Sequence, residues 1–364
     1  MCSPCDCGEN SQSHVPLDGL TISELKSCRR CGAEPFVTID KVRIECKQCF
    51  LEFCNRKFRT TIGKSKLVKN NDCILLAYSG GPNSTALLDL IYNSMRCETR
   101  REQKFRVKVL HIDTSIIQLK EETETDQDFL CQRVDKLTKR LETLSRTYPD
   151  WPIYFTNIEQ YFSGNNNSRQ NNEQESDSIN YIQYDTSVDE NFIKSQLNND
   201  SHQNALREAL EELPDLTERQ RFLDRCCFSL LDRVVNQINS SCNQENDKLK
   251  YIVTGSCATQ LANDLLVDVI LGQGSSIGSA VSICDRRTQV PLMRPLREFN
   301  MKEIAFYLKA REIHTHVSVT PNLLTYRDRK ASIQNVTEAF LSKLFLDYPS
   351  THSTLLRTGS KMTE

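Results

Sequence analysis

Two groups of residues in this 364-residue chain have types and spacings that could do chemistry. The first is Cys28-Arg29-Arg30-Cys31, followed after fourteen intervening residues by Cys46-Lys47-Gln48-Cys49. Each pair sets two thiols on a tight turn, and four thiolates satisfy a tetrahedral Zn²⁺. The spacing therefore reads as a closed structural zinc site at Cys28, Cys31, Cys46 and Cys49, folding a module too small to hold itself together. The second group is Ser79-Gly80-Gly81-Pro82-Asn83-Ser84, set between apolar Ile74-Leu75-Leu76-Ala77 and Thr85-Ala86-Leu87-Leu88. Adjacent glycines let the backbone approach an anion, and a helix beginning there offers unpaired amides and the positive end of its dipole. Ser79 and Ser84 add hydroxyl donors, so the stretch reads as a phosphate cradle. Gly63-Lys64-Ser65 does not form a Walker-type loop, because Phe58 stands where that motif needs its first glycine.

The elements that must position these groups follow from periodicity. Phe36-Val37-Thr38-Ile39 and Val42-Arg43-Ile44 can form a hairpin that brings the two cysteine turns together. A strand and turn are expected over 73–84, and further strands at Phe105 to Asp113, at Ile153-Tyr154-Phe155 and at Tyr251-Ile252-Val253-Thr254, with an extended piece from Val290 to Leu296. Helices are expected after Ser84, over Asp126 to Leu144, at 204–212 and 217–238, up to Leu271, over 300–311 and again from Ile333 to Phe345. Alternating strand and helix imply an α/β, Rossmann-like domain whose parallel sheet is covered on both faces. Ligands in such sheets bind beyond the C-terminal strand ends, which is where the Ser79 loop falls.

Composition bounds the rest. With 38% hydrophobic and 26% charged residues the chain is globular rather than fibrous, and it is long enough for two domains. No apolar run approaches the ~20 residues that span a bilayer, and the N-terminus lacks a signal-peptide layout, so a cytosolic location is expected. Disulfides would be reduced there, and eight of the sixteen cysteines precede residue 55, which points to metal. Cys2, Cys5 and Cys7 lie on an expected mobile tail over 1–20; three thiols leave a second metal site incomplete unless another residue joins.

A net charge of −2 gives no bulk pull toward nucleic acid, so any RNA contact must come from a local patch. The acid-free run from Arg56 to Lys69 is the candidate, with Lys57, Arg59, Lys64 and Lys66 on RNA phosphates; its bland reading is a solvated linker. The expected organisation is a tail (1–20), a zinc ribbon (21–55), a basic linker (56–72), a first α/β part (73–162), a disordered Asn/Ser/Gln-rich insertion (163–203), a second α/β part (204–320) and a C-terminal helical tail (321–364).

Taken together, the four-cysteine ribbon, Lys57-Phe58-Arg59, Ser79-Gly80-Gly81 and the Thr254-Gly255 strand end resemble the tRNA thiolase branch of the PP-loop family, enzymes that adenylate a carbonyl oxygen before replacing it. That order covers most of the chain. The resemblance implies a subunit of a heteromeric, cytoplasmic tRNA sulfurtransferase acting on the wobble uridine. Its partner would be a catalytic PP-loop subunit, and its sulfur would come from a thiocarboxylated ubiquitin-like modifier. Details at Gly255-Ser256-Cys257, Thr337-Glu338-Ala339-Phe340, Tyr348-Pro349-Ser350-Thr351 and Arg357-Thr358-Gly359 match the second of two related eukaryotic subunits rather than the catalytic one.

The departures have chemical content. The family's loop aspartate is Asn83 here, and Thr259 and Gln260 stand where catalytic members carry acids, so ATP and magnesium lose the charge that holds them. Cys226 and Cys227 are adjacent where catalytic members carry a C-x-x-C; neighbours on a helix point ~100° apart, so they read as core cysteines. Family members often carry a second, C-terminal cysteine cluster, and no cysteine follows Cys284 here, so either that cluster is lost or this is a short form. The loop residues Ser79, Gly80, Gly81, Asn83 and Ser84 are thus expected to form a degenerate nucleotide site, and no residue is expected to be catalytic. The alternatives are an autonomous ATP-dependent tRNA thiolase and a zinc-ribbon scaffold with no sulfur role.

Overall fold

The computed structural model describes residues 27–39, 43–96, 105–117, 126–163, 179–185, 187–318, 323 and 331–362. They fall into two compact units, one up to Glu52 and one from Phe53 onward. In the first unit β1 (Val37–Ile39) pairs antiparallel with β2 (Arg43–Glu45), Val37 opposite Glu45. Val37 and Ile39 point inward, as the period of two requires, and Phe36 meets Phe50 with ring centroids 6.4 Å apart. Helix α1 (Lys47–Ser65) starts in this unit with Cys49 in its first turn.

The second unit is built on a seven-stranded sheet. Its strands are β3 (Cys73–Tyr78), β4 (Arg106–Asp113), β5 (Ile153–Asn157), β6 (Ile182–Tyr184), β7 (Leu249–Val253), β8 (Cys284–Asp285) and β9 (Leu292–Met293), in the order β6-β5-β4-β3-β7-β9-β8. The five central strands run parallel, and β6 and β8 close the edges antiparallel. The helices are α2 (Pro82–Met95), α3 (Asp126–Thr147), α4 (Glu190–Leu197), α5 (Asp200–Glu211), α6 (Leu216–Ser240), α7 (Ala258–Ile270), α8 (Ile277–Val281), α9 (Met301–Arg311), α10 (Ile333–Asp347) and α11 (Thr351–Gly359).

β3 is buried on both faces, which is why it reads as an uninterrupted apolar run rather than an alternation. One face packs Leu75, Leu110 and Ile252 against Leu230, Val234 and Val235 of α6. Ile74 and Leu76 are buried on the other. There α2 and α9 are tied by Asp89, which accepts from Tyr307 Oη at 2.6 Å and from Arg311 Nε at 2.9 Å. The α/β architecture with a mostly parallel sheet is the expected one.

Four expectations need correction or fall outside the description. The insertion expected to be disordered over 163–203 contains β6, α4 and the start of α5; Ile179, Ile193 and Leu197 are buried, and Asp189 and Asn199 cap the helices. Residues 164–178, and the tail with Cys2, Cys5 and Cys7, lie outside the described residues. The basic linker of 56–72 is helical through Ser65, because Cys54, Phe58 and Ile62 recur every four residues and bury one face. The extended piece at 290–296 pairs only over Leu292–Met293.

Lys57 is part of that burial. Its ammonium sits on both oxygens of Glu303, at 2.9 and 2.7 Å, with the Phe299 ring centroid 4.7 Å away. Glu303 is only 4% exposed and closes the capping box of α9. Removing one partner leaves a buried, unpaired charge. Lys57→Met should therefore cost about 3 kcal/mol in urea unfolding, and adding Glu303→Gln should recover most of it. A single-variant loss below about 1 kcal/mol would show the pair to be screened by solvent.

Candidate functional site

The four sulfurs of Cys28, Cys31, Cys46 and Cys49 all lie within 4.8 Å of one another, the one such gathering of His, Cys, Asp and Glu among the described residues. Cys31 Sγ is 3.5 Å from Cys46 Sγ and 3.6 Å from Cys49 Sγ. Zn–S bonds of about 2.3 Å at tetrahedral angles put sulfurs about 3.8 Å apart, so the set fits a metal of that size. The turns are built for it: Gly32, at φ +74°, sends its amide back to Cys28 O at 2.8 Å, and the Cys49 amide donates to Cys46 Sγ at 3.4 Å. The Cys46 amide beside Cys28 holds that thiol down to about 6, whereas burial and the neighbouring thiols push Cys49 up to about 12. A cation at the centre would relieve that opposition.

The glycine loop lies at the C-terminal end of β3, as the topology requires. Gly80 has φ +81°, and a Cβ there would come within 2.8 Å of Ser318 O and 3.0 Å of the Arg140 guanidinium. Gly255, at the end of β7, lies so close to the first turn of α2 that a Cβ would stand 2.9 Å from both Asn83 C and Ser84 N. The two strand-end loops thus touch backbone to backbone. That contact sets Asn83 Nδ2 2.7 Å from Gln260 Oε1 and 3.4 Å from Cys257 Sγ. Asn83 is 6% exposed, and its Oδ1 has no hydrogen-bond partner among the described residues. Burial pushes the Cys257 thiol up, so every group around Asn83 is neutral.

The hydroxyls of the loop bond within it, with Ser84 buried and Ser79 exposed. Ser84 Oγ donates to Gly81 O at 3.1 Å and meets Ser79 Oγ at 3.2 Å, while the Gly81 amide takes Ser79 Oγ at 3.4 Å. Pro82 at the first helical position removes one amide donor, leaving those of Asn83 and Ser84 ahead of the first turn's bond from Thr85 N–H to Gly81 O. A set of neutral amides and a thiol lacks the anionic oxygens that magnesium requires, so the loop does not fit a metal-bridged triphosphate.

Sequence reasoning missed what lies behind the loop. Arg140 of α3 is 8% exposed; its Nη2 donates to Ser318 O at 2.9 Å and to Ser318 Oγ at 3.0 Å. Its Nη1 donates to His111 Nε2 at 2.8 Å, and His111 Nδ1 donates to Tyr78 O at 2.8 Å. A carbonyl only accepts and a guanidinium only donates, which fixes the His111 tautomer as neutral with the proton on Nδ1. Burial, reinforced by Arg140, pushes His111 down to about 4. The Ser318 amide in turn donates to Gly80 O at 2.9 Å. Beyond β4, Arg133 binds Asp113 at 3.0 Å and Glu159 at 3.1 Å, all three buried. Burial raises the Glu159 carboxyl against the pull of Arg133. Nothing in the sequence marks Arg140, which occupies one position of an amphipathic helix where a cation ordinarily faces water.

Cys226 and Cys227 lie on α6 within the core cluster under the sheet, and burial pushes both up to about 12. Of the basic run, Arg59 Nε donates to Asn55 O at 3.4 Å, Lys64 and Lys66 are exposed, and Lys57 is held by Glu303. Arg56, left out of the expected RNA set, is exposed on the same helix.

No protein-family profile matches the chain. Among curated proteins it is similar to cytoplasmic tRNA 2-thiolation protein 2 of Drosophila willistoni, 26% identical over 98% of this chain and 80% of that one. The Danio rerio protein of the same name is 28% identical over 97% and 70%. Among solved structures it is similar to the U34-tRNA thiolase NcsA from Methanococcus maripaludis with its [4Fe-4S] cluster, with a TM-score of 0.58 and 14% identity over 93% of this chain and 88% of that one. The structural likeness carries the fold alone. Among the described residues from Phe53 onward, no three cysteine, histidine or carboxylate groups converge to hold such a cluster.

Two outcomes test this geometry. Gly255→Ala forces a methyl into the first turn of α2 and should lower stability by about 1–3 kcal/mol, read from the urea midpoint. Unfolded His111 takes up its proton as pH falls through 6.5, whereas the folded ring resists until about 4. Stability fully present above pH 6.5 should thus be lost as pH falls toward 4, by about 3 kcal/mol from this residue. In His111→Gln that part of the acid dependence should vanish from urea unfolding measured between those pH values.

Proposed function

We propose that this chain, similar over nearly its whole length to the cytoplasmic tRNA 2-thiolation protein 2 relatives, is the tRNA-binding, non-catalytic subunit of a cytoplasmic enzyme that 2-thiolates the wobble uridine of tRNA. The observation that carries this reading is the Asn83–Gln260 amide pair in a loop whose strand–turn–helix frame is otherwise intact. Adenylating a base oxygen needs a metal-bridged triphosphate with carboxylates beside it, and these amides bring no charge. The glycine loop, comprising Ser79, Gly80, Gly81, Asn83 and Ser84, then serves as scaffold, with Gly80 closed in by Ser318 and Arg140 and the backbone of Asn83 and Ser84 met by Gly255 of the opposing loop. Adenylation and sulfur insertion fall to a catalytic PP-loop partner in a heterodimer, with sulfur drawn from a thiocarboxylated ubiquitin-like modifier.

The metal at Cys28, Cys31, Cys46 and Cys49 is zinc in this reading, since four thiolates with no open position suit a structural Zn²⁺. Arg59, Lys64 and Lys66 lie toward tRNA phosphates, while Lys57 supports their helix through Glu303. In a purified system the chain alone should form no 2-thiouridine, and neither should the catalytic partner alone; the two together, with the sulfur donor and ATP, should form it, as read by mass spectrometry of digested tRNA. Full thiolation by the partner without this chain would remove the role. Metal analysis should find one zinc per chain, lost in Cys46→Ser; unchanged zinc in that variant would move the site elsewhere.

A further inference from the structure

Part of the positive charge of the basic run lines one groove. A cavity of about 700 Å³ lies between helix α1 and the segment around Ile283 and Arg297, lined by Arg56, Lys57, Thr60, Lys64, Arg297 and Glu298 among others. Four of these six are cations, but two are already neutralised. Lys57 is bound by Glu303, and Arg297 donates to Glu298 at 2.7 Å and to Ser360 Oγ at 2.7 Å, which ties α11 to this wall. Arg56 and Lys64 remain, both exposed and neither with an acidic partner among the described residues. Residues 56, 60 and 64 recur every four positions, so they share one stripe of α1. At 1.5 Å per residue the two cations stand about 12 Å apart along the helix axis, with the exposed Thr60 hydroxyl between them.

We infer that this groove seats a stretch of tRNA backbone, with Arg56 and Lys64 on separate, non-adjacent phosphates and Thr60 as a neutral donor between them. Rigid presentation favours it: the opposite face of α1 buries Cys54, Phe58 and Ile62, so the cations are held on a fixed rod rather than a mobile linker. A duplex strand rises about 3.4 Å per nucleotide, so 12 Å reaches across several phosphates and a single anion would leave one cation unused. Arg56 can take a phosphate in a bidentate fork, and Lys64 as a point charge. The inference rests on the reading of the chain as a tRNA-binding subunit, and it assigns that binding to Arg56 and Lys64 rather than to Lys57.

The test is salt-dependent binding of an unmodified transcribed tRNA to the full-length, zinc-loaded chain. The groove variant Arg56→Gln with Lys64→Gln keeps the aliphatic stems. A control variant, Lys136→Ala with Arg146→Ala, removes equal charge from exposed positions on α3. Each lost phosphate contact should flatten the log–log salt slope by about 0.7 to 0.9, which at 0.15 M salt is roughly four- to fivefold in affinity. The groove variant should bind about twentyfold more weakly with a slope shallower by about 1.4 to 1.8, the control should match wild type, and Arg56→Lys with Lys64→Arg should restore the slope. Equal losses in groove and control variants, or an unchanged groove variant beside a binding wild type, would overturn the groove and leave the proposed function standing. A wild-type chain without salt-dependent tRNA binding would overturn both.

Discussion

The approach of Gly255 to the first turn of α2 is the constraint on which the candidate site depends. Two strand ends, β3 and β7, deliver loops to the same edge of the sheet, and no side chain fits between their backbones at that point. This contact decides what meets across the loops, and what meets is a pair of neutral amides. In a phosphate loop the same geometry would suit carboxylates gripping a cation; here the 2.7 Å bond from Asn83 to Gln260 makes it an internal fastening. A buried amide hydrogen bond contributes about 1 kcal/mol to stability, whereas an unfilled cation site with two carboxylates would cost stability through their repulsion.

The protein's own groups also take up the space behind the glycines. Ser318 and the buried Arg140 guanidinium fill the place where a side chain on Gly80 would stand, and Arg140 is in turn held by a histidine kept neutral by burial. The charge of Arg140 is met by the Ser318 carbonyl and hydroxyl oxygens and by the His111 lone pair. A loop so anchored has its hydroxyls and the Asn83 amide nitrogen committed internally, while Asn83 Oδ1 has no partner among the described residues. The RNA-binding surface proposed above is the exposed stripe of α1, whose opposite face Phe58 and Ile62 bury.

How much of this was legible in the sequence depends on the element. The cysteine spacing and the apolar run ending in Ser79-Gly80-Gly81 carry their meaning locally, because a tight turn and a strand-to-helix switch are each set by a few residues. The helical character of 56–65 was present in the recurrence of Cys54, Phe58 and Ile62, but the density of Lys and Arg masked it. The order at β6 and α4 depends on sparse residues such as Ile193 and Leu197, buried only because distant parts of the chain cover them; composition averaged over 163–203 cannot register that. Arg140 and the Lys57–Glu303 pair are tertiary facts: a cation on an amphipathic helix reads as solvated until another element arrives to bury it.

The proposed function turns on one claim, that the glycine loop performs no nucleotide chemistry. Pyrophosphate release by the isolated chain, measured with ATP, tRNA and a magnesium titration, tests it most directly. The account predicts no release above background at any magnesium concentration. Magnesium-dependent release that disappears in Asn83→Ala would contradict it and make the chain an adenylating enzyme in its own right.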